Sequence, residues 1–256
     1  MKKKITAIAL VVCLVAVAIV GGSLAYFTDT TDAKVNEFTV GNVDIDLTEP
    51  NWKGDATLMP GVSFDKDPTI TVKEGSQDAY VFLKMDMNKY VSLVNLMGVD
   101  AYKNNIGGLS GEYPGFTAFV QNLASDNALR ATVVERWFTG IKHADWKVMN
   151  VDEITALVNN VAGGTNANKL EIVLGYIGSE DDTLSATDKV TFMTAFGMPD
   201  TVTASMFNGE DAYYINGVSK SNFNTDASTF KITFTAYAIQ KAEIANIDAA
   251  YTALFK

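Results

Sequence analysis

Residues able to carry chemistry are sparse in this chain. Its 256 residues include one histidine, His143, and one cysteine, Cys13. A catalytic zinc takes three protein ligands, histidines prominent among them, and keeps one position for water. One histidine and no H-E-x-x-H run do not build that site. His143, between Lys142 and Ala144-Asp145-Trp146, reads as a residue on an exposed loop or helix end. The serines have no histidine partner and no G-x-S-x-G elbow, and Cys13 sits in an apolar leader, so nucleophilic catalysis finds no group. Carboxylates remain. Asp44 and Asp46 alternate on one strand face, and Glu180-Asp181-Asp182 forms a loop cluster. Hard oxygen ligands of this kind hold calcium, but the D-x-[DN]-x-[DN]-G spacing is missing, and solvated charge is the better reading. No two carboxylates stand out as a glycosidase pair. Trp52, Trp137 and Trp146 read as core or interface residues rather than a sugar platform. The expectation is a protein with no catalytic centre, no resident metal and no cofactor.

One bond of the chain looks like a substrate. Ser23-Leu24-Ala25 is a small-x-small run, which places a signal-peptidase cut between Ala25 and Tyr26. Ahead of it, Lys2, Lys3 and Lys4 form a positive start and residues 5–20 an apolar stretch, followed by Gly21-Gly22. That stretch is short for a membrane span of about 20 residues, and no positive cluster follows, so cleavage is favoured over an uncleaved anchor. Cys13 follows Val12 and the apolar run continues after it, unlike a lipidated cysteine. Residues 1–25 are therefore expected to be a signal peptide, and the remainder secreted to the extracellular matrix or cell surface. That remainder has no cysteine, so disulfides do not stabilise it. The leader holds three lysines and no acid, so the remainder is three units more negative than the whole chain's −10. Such an acidic surface excludes nucleic acid as a partner and argues against passive binding to anionic lipid.

Cleavage would leave residues 26–40 as an N-terminal arm. Tyr26 and Phe27 at its tip are costly to leave in water, and Val35, Phe38 and Val40 continue the apolar supply. Thr28, Thr30 and Thr31 suit extended structure. Behind the arm, Val43, Ile45 and Leu47 alternate with Asp44, Asp46 and Thr48, the period of a strand with one buried face. Ile70 and Val72 mark another strand, and residues 79–87 a longer one. There Val81, Leu83, Met85 and Met87 share one face, and Tyr80, Phe82, Lys84 and Asp86 the other. Residues 88–164 change character and read as a mostly helical insertion. Strands are expected again at 169–177, 189–196, 201–207 and 230–240, and a terminal helix at 246–255 capped by Asn246 with Ile247, Tyr251 and Leu254 on one face. The pattern predicts a mainly β protein, an antiparallel two-sheet jelly-roll sandwich over 41–256 with a partly helical insertion and a C-terminal helix.

The leader running into Ala25-Tyr26-Phe27-Thr28-Asp29, followed by Phe38-Thr39-Val40-Gly41-Asn42-Val43-Asp44-Ile45, resembles the start of the TasA/camelysin family. Pro60-Gly61, Lys66-Asp67-Pro68, Asp78-Ala79-Tyr80-Val81-Phe82-Leu83 and Ile232-Thr233-Phe234-Thr235-Ala236-Tyr237-Ala238-Ile239-Gln240 are similar to later blocks of that family, in the same order. The resemblance covers residues 1–87 and 169–256. It implies a leader cut by an endoplasmic-reticulum-type signal peptidase and a jelly-roll subunit of biofilm-matrix or cell-surface fibres. In such fibres the freed arm would fill a groove of the next subunit. Self is then the main partner, as a head-to-tail homopolymer, with a cell-surface anchor or accessory fibre protein as a further one.

Strand donation has a physical basis beyond the resemblance. An added strand satisfies a row of backbone groups, its side chains fill pockets, and a head-to-tail contact propagates without closing. The alternative is that the arm docks on its own domain as an ordinary first strand. Camelysin is also known as a surface metalloprotease, and a metalloendopeptidase is the second function considered; one histidine weighs against it. A monomeric surface adhesin is the third.

Overall fold

The computed structural model describes residues 28–31, 43–54, 57–88, 90–110, 118–119, 122–123, 127–154, 156, 169–203, 206 and 231–256. Strands β1 (Thr28–Thr31), β2 (Ile45–Thr48), β3 (Ser63–Asp65), β4 (Thr69–Val72) and β5 (Ala79–Asn88) come first. Helices α1 (Tyr90–Lys103) and α2 (Asn127–Val134) follow. Then come β6 (Phe138–Thr139), β7 (Trp146–Val148), β8 (Lys169–Tyr176), β9 (Lys189–Thr191), β10 (Ala195–Gly197) and β11 (Ile232–Gln240), and α3 (Ile247–Phe255) ends the chain.

The fold is mainly β, and its strands pair antiparallel throughout the three sheets. The largest has the order β1-β11-β5-β8-β7, and the others are β2-β4-β9 and β3-β10-β6. Among the described residues the smaller two sheets are separate because residues 189–196 are not one strand. β9 pairs with β4, and β10 pairs with β3 and β6. Between them Phe192 and Met193 are both buried. Here the backbone passes from one sheet to the other, Phe192 N–H donating to Pro68 O and Thr194 N–H to Thr139 O. Phe192 lands against Trp146 and Phe234, with ring centroids at 5.6 and 6.3 Å.

The expected strand at 201–207 is also corrected. Residues 199–202 form a turn in which Val202 N–H donates to Pro199 O, and Met206 is helical, while 204, 205 and 207 lie outside the described residues. The Thr201 hydroxyl is engaged, donating to Asp100 and accepting from Arg136. Within 88–164 the described residues include the helices Tyr90–Lys103 and Asn127–Val134, but the segment is also stitched into the sheets. β6 joins β10 and β7 joins β8. Trp137, Phe138 and Trp146 are buried there, which draws this backbone into the core.

The predicted alternations hold at β2, β4 and β5. Ile45, Leu47, Ile70, Val72, Val81, Leu83, Met85 and Met87 are buried in one core shared with Phe234, Ala236 and Ala238 of β11. On the opposite face of β5, Tyr80 and Phe82 are buried as well, because α3 lies over them. Asn246 caps that helix as expected, its Oδ1 accepting from Ala249 N–H at 2.9 Å. Ile247, Ala250 and Tyr251 face the sheet, and Leu254 and Phe255 pack at its margin. The helix seats on Gly175 of β8, where a Cβ would stand 2.8 Å from Ile247 Cδ1 and 2.9 Å from Met149 Sδ. Among the described residues, no helix is long and apolar enough to cross a membrane.

Candidate functional site

β11 is the strand on which the arm is seated. β-branched and aromatic residues favour its extended form, and Ala236 and Ala238 are fully buried against the core. On one side β11 pairs with β5 along its whole length, from Ile232↔Met87 to Gln240↔Ala79. On the other side it pairs with β1 over four positions, Thr28↔Ile239, Asp29↔Ala238, Thr30↔Tyr237 and Thr31↔Ala236. Among the described residues, 232–235 of β11 have no strand beside them on that side.

β1 is thus an edge strand paired with its own chain. This is the arrangement in which the arm docks on its own domain. Of the arm, only Thr28–Thr31 is described; Ala25, Tyr26, Phe27, Val35, Phe38 and Val40 lie outside the described residues, as do the leader and its cut. Edge strands of a sheet are where strands from other chains can pair.

Beside β11, the outer face of the five-stranded sheet is divided. α3 covers Tyr80, Phe82, Val173 and Ile239. Further along the strands, Lys84 Nζ stands 3.4 Å from Asp86 Oδ2 and 3.9 Å from Glu171 Oε1. Burial pulls the Lys84 ammonium toward neutrality, but Tyr237, Asp86 and Glu171 together outweigh it and hold its pKa above the ordinary lysine value. Lys84 and Glu171 border a cleft of about 470 Å³ that Tyr237, Tyr251 and Phe255 also line. One wall is the segment around Glu153 and Ile154. Asn150 ties that wall to β8, donating to Glu171 O at 2.8 Å and accepting from Val173 N–H at 2.9 Å.

The other chemistry-bearing residues are dispersed. His143 sits on a single 3-10 turn, His143–Asp145, and is half-buried rather than exposed. Its Nε2 is 3.7 Å from Glu135 Oε1. Burial lowers its pKa below the usual histidine value, and Arg130 adds to this while Glu135 opposes it. Asp44 lies 3.2 Å from Lys73, and Asp181 2.7 Å from Lys241, so members of both acidic groups are ion-paired. Among the described residues, no three His, Cys, Asp or Glu side chains gather as a metal site. Trp137 and Trp146 belong to the core, and Trp52 packs under the Lys66 ammonium, 4.5 Å from its ring centroid.

Sequence reasoning missed two polar clusters. Lys66 and Asp67 are buried, Lys66 pairing with Glu49 at 2.7 Å and Asp67 accepting from Asn51 N–H and Nδ2. Together they fasten the turn after β2. The cleft was missed because its residues come from three strands and two helical segments. Its one sequence signal was Lys84 beside Asp86 on the outward face of β5.

Comparison of the chain with protein-family models, with curated proteins and with solved structures finds no match.

Proposed function

We propose that the chain is an exported structural subunit of extracellular filaments, a jelly-roll sandwich of the TasA/camelysin kind processed after Ala25. Subunits join when the arm leaves the β11 edge of its own sheet and pairs with the same edge of the next subunit. The supporting observation is the placement of β1. The strand next to the expected cut lies at a sheet edge and pairs with four positions of β11, whose other side is paired with β5 along its whole length. Replacing it with the same segment of a neighbour conserves every backbone hydrogen bond, so exchange costs little enthalpy, and the contact propagates head to tail.

The cis pairing of β1 also favours a second reading, a monomeric surface module in which the arm stays at home. Electron microscopy of the processed chain separates the two. Removing residues 26–31 should leave a folded domain that forms no fibres. Fibres unchanged by the deletion would contradict strand donation.

A further inference from the structure

We propose that the cleft on the outer face of the five-stranded sheet binds a neutral saccharide unit. The inference is independent of whether β1 exchanges. A volume of about 470 Å³ lies within the usual range of small-ligand sites. Three aromatic side chains line it and brace one another. Tyr251 stacks on Phe255 with centroids 5.2 Å apart, and Tyr237 meets Phe255 edge-on at 4.9 Å. Such walls suit a ligand with an apolar C–H face.

The charges in the cleft come in opposite-sign partners. Lys84 lies between Asp86 and Glu171, and Glu153 is 3.5 Å from Lys256. Three carboxylates against two ammoniums repel a polyanion, and among the described residues no three ligating side chains gather to hold a metal cation. A ligand whose groups both donate and accept hydrogen bonds fits better. Hydroxyls can accept from the Lys84 ammonium and donate to the Glu153 and Glu171 carboxylates at once. Sugars combine such hydroxyls with stackable C–H faces. The site is also preformed, since Asn150 fastens one wall to β8 and the capped α3 supplies the other.

The test is NMR titration of the exported protein with maltose, cellobiose and N,N′-diacetylchitobiose. At least one sugar should shift the ring resonances of Tyr237, Tyr251 and Phe255 in a saturable way. Glu171→Gln and Lys84→Met, each checked for an unchanged folded spectrum, should weaken that sugar by about tenfold, roughly 1.4 kcal/mol. Should Lys84→Met not fold, Glu171→Gln alone decides. The proposal is overturned if none of the three sugars moves those rings, if the shifts map elsewhere, or if the folded variants bind as tightly as the parent.

Discussion

The two ends of the described chain lie on the same sheet, and they are held by different means. The C-terminal end is a nine-residue helix with a side-chain cap, a glycine seat and a ring cluster of its own. The N-terminal end of the described residues is the edge strand Thr28–Thr31, paired with β11. Burial of Ile247, Ala250 and Tyr251 makes α3 expensive to detach. β1 is joined to β11 by a backbone ladder that an identical segment can reproduce. On the proposed reading, the helix end secures the sheet and the strand end is the part that changes partners.

The largest expected effect comes from attacking the helix end. Gly175→Val places methyl groups where Ile247 and Met149 already stand. It should lower stability by about 3 kcal/mol, measured by denaturant unfolding. An unchanged midpoint would mean that α3 is not seated as described. Asn246→Ala removes the bond to Ala249 N–H and should cost about 1 kcal/mol. Fibre formation by the folded fraction should survive it, whereas loss of fibres would erase the distinction between the two ends.

A smaller effect belongs to His143, which lies on neither end. His143 is held below its ordinary pKa, so the fold favours its neutral form. The stability this brings is fully present above the unfolded-state pKa of about 6.5. It is lost as pH falls through that value toward the lower folded one, because the unfolded chain then binds the extra proton. His143→Gln should flatten the slope of stability against pH in that window. The same slope in the variant would show that other groups cause it.

Much of this contrast can be read along the chain. The α3 cap, its buried face and the alternation of β2, β4, β5 and β11 follow from local periodicity, because regularly spaced apolar residues mark one buried face of each. Burial of Tyr80 and Phe82 on the second face of β5 is not local, since it depends on a helix more than 160 residues later reaching over Gly175. The break at Phe192-Met193 looked like a continuous strand because both residues are apolar, and only the competition among three sheets separates them. His143 was read as exposed from polar neighbours, yet the fold brings Glu135 and Arg130 around it. For the arm, threonines and a cut site suggested an extended strand, while its partner strand and register needed the topology.

The register also supplies the most direct test. Thr30 and Tyr237 are partners across the β1–β11 ladder, and antiparallel partners lie close enough for a disulfide. The only native cysteine, Cys13, precedes the expected cut. Chains carrying Thr30→Cys and Tyr237→Cys can therefore be oxidised before and after assembly and compared on non-reducing gels. Strand exchange predicts intrachain monomers before assembly and a ladder of covalent oligomers from intact fibres. Fibres that yield only monomer would show that β1 never leaves its own sheet, and would contradict the account.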